Sequence, residues 1–219
     1  MIVTIDGPAG TGKSTVARRL AERLGFEFLN TGAMYRAVAL ACLNARLDPC
    51  HEEAVVPLVG RLRIDFQGDH LLLDGVDVSE QIRVHEVTDA ASLVAALPLV
   101  RQKLVDQQRR IGRATNLVTE GRDQGTVVFP EAECKFFLTA APEVRARRRM
   151  EEVRRKGGTA SLAEVLAQQI LRDQRDESRA HSPLKPATDA MTIDTSDVSI
   201  GEVLTRLEKL VRERQPPTP

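Results

Sequence analysis

The residues best suited to chemistry lie near the start of the chain, at positions 7–14, where the sequence reads GPAGTGKS. Two glycines separated by four residues and followed by lysine and serine match the pattern G-x-x-x-x-G-K-[ST]. Glycines in such a loop let backbone N–H groups turn toward a phosphate. The lysine places a charge between the β- and γ-phosphates, and the serine hydroxyl binds Mg²⁺. The segment 7–14, called the phosphate loop below, therefore predicts a site for a nucleoside triphosphate.

The elements that flank the phosphate loop have the order that this motif requires. The apolar run IVTI at 2–5 predicts a buried strand. Val16, Leu20 and Leu24 recur four residues apart and predict a helix that ends at Gly25. The residues expected to bind ATP in this loop and first turn are Gly7, Pro8, Ala9, Gly10, Thr11, Gly12, Lys13, Ser14 and Thr15, with Ser14 also binding Mg²⁺.

The remaining segments alternate between strand and helix patterns. Further strands are predicted at 26–29, 116–123, 134–140 and 190–195. Helices are predicted from a cap at Thr31, and at 85–97, 98–111, 142–156, 161–179 and 200–214. Residues 61–78 alternate apolar and polar side chains between turn signals, which indicates a small antiparallel meander. We therefore expect an α/β fold, with a parallel sheet covered by helices on both faces and a small antiparallel insert.

Composition narrows the functional classes. The 31 basic and 31 acidic side chains balance, which argues against a general nucleic-acid-binding protein because that function needs surplus positive charge. The three cysteines lack paired spacing, and no apolar run approaches the length of a membrane span. We expect a cytoplasmic protein without membrane or nucleic-acid partners, and a monomer because no coiled-coil pattern is present.

A phosphate loop alone does not specify a reaction. The chain has no Asn-Lys-x-Asp motif for reading guanine, which leaves a small-molecule kinase or an ATP-binding regulator. A kinase also needs a second site for its acceptor, and arginine is the expected residue because a guanidinium binds phosphate with two parallel hydrogen bonds. Arginines occur in TGAMYR (31–36), EGRDQGTVVFP (120–130) and RDQRDESR (172–179). In the last of these, an exposed helix face of paired charges is the alternative interpretation.

Together these segments resemble cytidylate kinases of the bacterial type. The resemblance runs from the phosphate loop through TGAMYRAVAL (31–40), AASLVAALPLVR (90–101), EGRDQGTVVFP and RDQRDESRAHSPLKPA (172–187), and so covers most of the chain. It implies a nucleoside monophosphate (NMP) kinase of the P-loop NTPase fold. Such an enzyme transfers the γ-phosphoryl group of ATP, bound with Mg²⁺, to CMP or dCMP.

The resemblance also implies roles for individual residues. It assigns recognition of the cytosine edge to Ser92, Arg101 and Asp123, and it places Tyr35 against the cytosine ring. Binding of the acceptor phosphate falls to Thr31, Arg36, Arg122 and Arg179, and contacts with ribose or phosphate fall to Arg172 and Asp176. The expected catalytic residues are Lys13, Arg122, Arg172 and Arg179.

Three positions depart from common versions of the family pattern. Ser14 stands where some members have glycine, and it strengthens the Mg²⁺ prediction. Thr31 replaces a common serine and keeps the hydroxyl. Glu120 stands where aspartate is frequent, and we expect it to reach a metal-bound water.

The predicted domain spans 1–214, with an NMP-binding insert at about 31–101, a helical lid at about 145–162 and a disordered tail at 215–219. Arg145, Arg148 and Arg149 follow helical spacing, and with Lys156 they are expected to close over ATP, Arg148 and Arg149 binding it directly. The alternative for these residues is an exposed basic helix face paired with Glu151 and Glu152. For the whole chain, the alternatives are a kinase of the same fold that acts on UMP, AMP or shikimate, and a nucleotide sensor without turnover.

Overall fold

The computed structural model describes residues 1–68, 70–155 and 157–215, which form two compact units. The core unit comprises Met1–Leu29 and Gly112–Pro219, and the insert unit comprises Asn30–Ile111. The predicted insert at 31–101 falls within the second unit. Of the predicted tail at 215–219, all but Gln215 lies outside the described residues, as does Lys156.

Strands and helices are interspersed along the described chain. The strands are β1 (Ile2–Asp6), β2 (Glu27–Asn30), β3 (Ile64–Gln67), β4 (His70–Leu73), β5 (Val76–Asp77), β6 (Leu117–Gly121), β7 (Cys134–Thr139) and β8 (Met191–Asp194). The helices are α1 (Lys13–Leu24), α2 (Thr31–Asn44), α3 (Glu52–Val59), α4 (His85–Val94), α5 (Pro98–Ala114), α6 (Pro142–Arg155), α7 (Leu162–Glu177) and α8 (Ile200–Arg214). A 3₁₀ turn spans Gln81–Arg83, and a turn of π-helix spans Gln124–Val128.

The core unit is built on a five-stranded sheet with the order β2-β6-β1-β7-β8. The ladders that join β1 to β6, β1 to β7 and β7 to β8 are parallel. The strands β1, β6 and β7 are buried along almost their whole length, as expected for a parallel sheet that is covered on both faces. The predicted parallel α/β fold is confirmed.

Helices α1 and α8 cover one face of this sheet. Leu20 of α1 and Leu207 of α8 are fully buried in one cluster with Val3 and Ile5 of β1. On the other face, the π-helical turn packs against β1, and Gly112 near the end of α5 lies against Ile2 and Phe129. The carboxyl ends of β1 and β6 thus emerge from a rigid, apolar layer, and the residues that follow them are held at one edge of the sheet.

The insert unit contains the predicted meander, which is confirmed as the antiparallel sheet β3-β4-β5. Its second turn follows the predicted Asp-Gly signal, because both Asp74 (φ 52°) and Gly75 (φ 85°) are in the left-handed region. Helices α2 and α4 of the same unit pack together.

Several predicted boundaries were wrong for identifiable physical reasons. Asn30 rather than Thr31 caps α2, because the Asn30 side chain accepts a hydrogen bond from the Ala33 N–H at 2.9 Å. The short helix α3 was not predicted, since Pro57 inside it masks the helical pattern. The strand predicted at 116–123 ends at Gly121, where the chain bends toward the π-helical turn, and the helix predicted at 161–179 ends at Glu177.

Candidate active site

The phosphate loop joins β1 to α1 and depends on glycine at its first and last bends. Gly7 has φ 144°, and a Cβ there would lie 2.1 Å from the carbonyl oxygen of Leu138. Gly12 has φ 90° and is the N-cap residue of α1, with no capping side chain. Neither conformation suits a residue with a Cβ. The backbone conformation of the loop therefore depends on these glycines, as is typical of a loop whose amides bind phosphate.

Helix α1 presents its positive end to the same space. No acidic residue of α1 itself lies in its first turn, so nothing within the helix offsets the partial positive charge of its first N–H groups. Lys13, the first residue of α1, is only 5% exposed, and its Nζ donates a hydrogen bond to the Pro8 carbonyl at 2.6 Å. Burial, together with the positive charge of Arg122, lowers the pKa of Lys13 to about 7. An anion with several negative charges is the ligand that this arrangement favours.

Ser14 and Glu120 bring two oxygen ligands together beside the phosphate loop. The Ser14 hydroxyl donates to Glu120 Oε1 at 2.9 Å, and Glu120 is buried at the end of β6. Oxygen ligands of this kind are those that Mg²⁺ binds, using few protein groups and completing its shell with water and phosphate oxygens. No cluster of three or more His, Cys, Asp or Glu side chains able to hold a metal occurs within residues 1–68, 70–155 and 157–215.

A buried carboxylate gathers arginines from two different segments. Asp176 of α7 accepts a hydrogen bond from Arg122 Nε at 2.7 Å through Oδ2, and its Oδ1 pairs with Arg179 Nη2. The positive charge of Arg172 also acts on Asp176. We call these four residues the Asp176 cluster. Because Arg122 and Arg172 also lower the pKa of Lys13, the cluster lies within electrostatic range of the phosphate loop.

Asp176 and the arginines of its cluster stabilise each other's charged forms. Burial alone would raise the pKa of Asp176, but the charges of Arg122, Arg179 and Arg172 outweigh burial and hold this pKa below its ordinary value. Burial likewise acts to lower the pKa of Arg122, and the negative charge of Asp176 reverses that effect. The alternative of an exposed helix face fits Arg175 and Glu177, which are exposed, and does not fit Asp176.

The arginines of α6 have different environments. Arg145 is buried and donates to Asp173 at 2.5 Å and to the phosphate-loop carbonyl of Ala9 at 3.1 Å. Arg148 donates to the carbonyl of Thr195 at 2.5 Å, and the Thr195 hydroxyl lies 3.1 Å from the carbonyl oxygen of Thr11. Arg145 and Arg148 thus tie α6 to the phosphate loop directly and through Thr195.

Arg149 differs from both of these arginines. Its side chain is 43% exposed and pairs with Glu152 at 3.0 Å, as the exposed-face alternative describes. The exposed-face alternative therefore describes Arg149 and does not describe Arg145, which is buried.

A carboxylate from β1 fixes the segment that carries Arg122 and Asp123. Asp6 is 4% exposed and accepts hydrogen bonds from the backbone N–H groups of Gln124 at 2.9 Å and Gly125 at 2.8 Å. Burial raises the pKa of Asp6 to about 7, although the two N–H donors act in the opposite direction. Asp123, also buried, is the N-cap residue of the π-helical turn.

The predicted residues of the insert unit lie on three of its helices. Tyr35 on α2 and Arg101 on α5 are brought together, with the guanidinium carbon of Arg101 5.6 Å from the centre of the Tyr35 ring. Arg101 is buried and also donates to the carbonyl of Ala95 at 3.2 Å. Ser92 lies on α4, where its hydroxyl donates to the Thr88 carbonyl at 3.4 Å. Thr31 and Arg36 belong to the first two turns of α2.

Three residues that contact this site were not predicted from the sequence. They are Asp6, Asp173 and Thr195. Through side-chain hydrogen bonds, Asp6 supports the π-helical turn, Asp173 supports α6 and Thr195 supports the phosphate loop. The sequence did contain a signal for Asp6, because a charged residue at the end of an apolar strand, directly before the first loop glycine, indicates a specific polar contact. Asp173 and Thr195 gave none, because acidic and hydroxyl residues are common at helix faces and strand ends.

Comparison with known proteins tests the proposed relationship. The family model described as cytidylate kinase matches residues 3–213. The chain belongs to the cytidylate kinase family. It is similar to a cytidylate kinase of Rhodopirellula baltica, with 46% identity over 97% of this chain and 93% of that protein. A cytidylate kinase of Corynebacterium efficiens is 49% identical over 96% of this chain and 94% of that protein.

Solved structures agree on the fold. The shikimate kinase of Bacteroides thetaiotaomicron superposes with a TM-score of 0.51 at 11% identity, covering 97% of this chain and 98% of that one. An uncharacterized protein of Eubacterium ventriosum gives a TM-score of 0.54 at 14% identity, covering 98% and 99%. At such low identity the likeness concerns the fold alone, and it agrees with the P-loop kinase architecture. In the part of the chain that the structure describes, none of the helices could span a membrane.

The ion pairs of Asp176 generate a stability prediction. Asp176→Asn should reduce the free energy of unfolding by about 3–5 kcal/mol at neutral pH, because it leaves buried guanidinium charge uncompensated. The pKa of Asp176 lies below 3.8 in the folded protein, so its contribution is complete above pH 3.8 and is lost as the pH falls through the folded value. The difference between wild type and variant should therefore shrink under acid conditions, as measured by urea unfolding across pH.

The neighbouring exposed residue Glu177 supplies a matched control. Glu177→Gln should change the unfolding free energy by no more than about 0.5 kcal/mol. Equal effects of the two substitutions at neutral pH would show that Asp176 is not the centre of a buried ion cluster.

Proposed function

We propose that this chain transfers the γ-phosphoryl group of ATP to CMP or dCMP, giving CDP or dCDP. The observation that carries the proposal is the presence, in one compact unit, of a complete phosphate loop and of guanidinium groups gathered by Asp176 within electrostatic range of Lys13. Membership of the cytidylate kinase family supports the choice of acceptor. The balanced charge supports action without nucleic-acid partners, and the three cysteines without paired spacing favour the reducing cytoplasm.

The donor side of the reaction falls to the phosphate loop. Its amides and the amino end of α1 bind the phosphates of ATP, and Lys13 supplies the charge at the β- and γ-phosphates. ATP at this site shifts Lys13 toward its charged form, because a nearby negative charge raises the pKa of an ammonium group. Ser14 and Glu120 are the residues to hold Mg²⁺, which supplies further positive charge to the phosphates when bound.

The acceptor phosphate falls to Arg122, Arg172 and Arg179, together with Thr31 and Arg36. The cluster arginines come from two segments and are buried or half-buried, which fixes their positions before the substrate arrives. A guanidinium grips a phosphate through two parallel hydrogen bonds and keeps its charge at any pH of interest. Asp176 orients the guanidinium groups of Arg122 and Arg179.

Cytosine selection falls to Ser92, Arg101 and Asp123, with Tyr35 lying against the ring. Cytosine carries an amino donor at N4 and acceptors at N3 and O2, so an acidic group reads N4 and an arginine reads N3 and O2. Uracil reverses the hydrogen-bonding polarity at positions 3 and 4. A carboxylate at N4 therefore disfavours UMP by about 1–3 kcal/mol for one good pair.

Catalysis in this scheme depends on positioning and charge. The acceptor atom is already a phosphate oxygen, so no general base is required. Lys13 and the cluster arginines neutralise the charge that moves between donor and acceptor. We propose that residues 145–162, with Arg148 and Arg149, act as a lid that limits the access of water to ATP.

Substitution of Asp123 tests the base-reading role. Asp123→Asn should lower the ratio of kcat/KM for CMP to kcat/KM for UMP by about 5- to 150-fold, because the amide loses the charge that favours the N4 amino group. A coupled assay of ADP release should be run across CMP, dCMP, UMP, AMP and GMP for the wild type and the variant.

Asp106→Asn makes the same chemical change at an exposed position on α5 and serves as the control. It should leave the selectivity ratio unchanged. If the wild type preferred an acceptor other than CMP or dCMP, the proposed substrate would be wrong. If the wild type preferred CMP but Asp123→Asn kept the wild-type selectivity ratio, the role of Asp123 would be refuted and the proposed substrate would stand.

Two arginines near the end of α7 give a paired test of phosphoryl transfer. Arg179 pairs with Asp176, whereas Arg175 is exposed on α7. Arg179→Ala should lower kcat/KM for CMP by about 10³-fold, the size expected for an arginine that stabilises the transferred group. Arg175→Ala should keep the wild-type rate, as measured by the same assay. A loss of less than about tenfold in Arg179→Ala would remove Arg179 from the transfer step.

A further inference from the structure

Asp6 joins the phosphate loop to a segment far away in the sequence. It is the last residue of β1 and directly precedes Gly7, the first residue of the loop. Each of its two carboxylate oxygens accepts one backbone N–H, Oδ1 from Gln124 and Oδ2 from Gly125, across 118 and 119 residues of chain. The carboxylate therefore sits between the donor loop and the residues that follow Arg122 and Asp123.

The two backbone amides that donate hydrogen bonds to Asp6 belong to the first turn of the π-helical segment Gln124–Val128. The first N–H groups of any helical turn have no partner within the turn and need a capping acceptor. A local cap is usually the side chain of the residue at the N-cap position. That residue here is Asp123, a residue type well suited to capping, yet its side chain makes no capping hydrogen bond. Asp6 performs the capping function from a neighbouring strand.

Other contacts also hold this π-helical turn against the sheet. The Gln124 side chain accepts a hydrogen bond from the Thr119 hydroxyl at 2.9 Å. A Cβ on Gly125 would lie 2.9 Å from the Thr4 hydroxyl oxygen and 3.3 Å from Lys135 Cδ. The turn thus packs directly on the sheet, and the Asp6 carboxylate fixes the amides where the turn begins.

We propose that Asp6 is a positioning residue that caps this turn in place of Asp123. The same carboxylate sets the position of Arg122–Asp123 relative to the phosphate loop, because Asp6 adjoins that loop through the peptide bond to Gly7. The inference rests on the proposed function, since it assigns the acceptor to Arg122 and Asp123.

Asp6→Asn is the discriminating substitution. The amide oxygen of asparagine replaces one acceptor, while its NH₂ group faces the second backbone N–H and cannot accept from it. We expect the KM for CMP to rise by about tenfold or more, the effect of losing one hydrogen bond to a charged group. The ratio of kcat/KM for CMP to that for UMP should also fall, while the KM for ATP changes by less than about threefold.

Amide hydrogen exchange of the protein without substrates gives a readout that does not depend on activity. In the wild type, the amides of Gln124 and Gly125 should exchange slowly, because both are buried and hydrogen bonded. In Asp6→Asn, exchange should accelerate in the segment 122–128 and stay unchanged in α1 and α8. The matched control is Asp194→Asn at the end of β8, where the carboxylate accepts the Ser196 N–H at 2.8 Å. It should leave both the kinetics with CMP and the exchange of 122–128 at wild-type values.

The outcomes separate this inference from the proposed function. If the wild type fails to phosphorylate CMP, the proposed function fails, and the positioning role assigned to Asp6 fails with it whatever the exchange data show. If the wild type is active on CMP but Asp6→Asn raises both KM values equally, or neither, the positioning role is overturned. If Asp6→Asn does not fold, the same kinetic comparison is made with Asp6→Ser. The exchange rates of the wild-type amides then decide whether the cap exists. Fast exchange of Gln124 and Gly125 in the wild type would refute the cap.

Discussion

Lys13 is an ammonium group in a buried position whose hydrogen-bond partner is the neutral carbonyl of Pro8. Water is largely excluded, and the neighbouring charge of Arg122 makes the charged state less favourable still. The backbone imposes this situation, since Gly7 and Gly12 bend the loop around the start of α1. A ligand with concentrated negative charge relieves the cost, so the affinity of the site for phosphate follows from the way in which the loop folds.

Several other buried or half-buried charged groups surround the Lys13 ammonium group. The charges of Arg122, Arg179 and Arg172 hold the pKa of Asp176 below its ordinary value despite burial, and Asp176 offsets part of their positive charge. Asp173 compensates Arg145, which in turn holds the carbonyl of Ala9 in the loop. Positive charge is thus fixed by buried carboxylates and by backbone carbonyls before any substrate arrives. Such preorganisation is what a phosphoryl transfer needs, because the reaction is limited by positioning and by charge stabilisation.

Much of this organisation could be predicted from the sequence because it is encoded locally. The phosphate loop, the parallel sheet and the meander follow from residue types at fixed short spacings, and the structure confirms the fold. The cap on Gln124 and Gly125 could not be predicted, since its acceptor is 118 residues away from Gln124 and the obvious local candidate, Asp123, makes no cap. The burial of Arg145 was also missed, because an arginine-rich helix has the same sequence pattern whether it faces solvent or a carboxylate such as Asp173.

The pKa of the Lys13 ammonium group is the most direct measure of the electrostatic cost of burying Lys13 in the phosphate loop. It can be followed by NMR through the ¹³Cε resonance of labelled lysine, assigned by its loss in Lys13→Arg, in the protein without ligand and with a non-hydrolysable ATP analogue. We predict a pKa of about 7 without ligand and a higher value when the triphosphate is bound. A ligand-free value near the ordinary 10.5, unchanged by the analogue, would contradict this prediction.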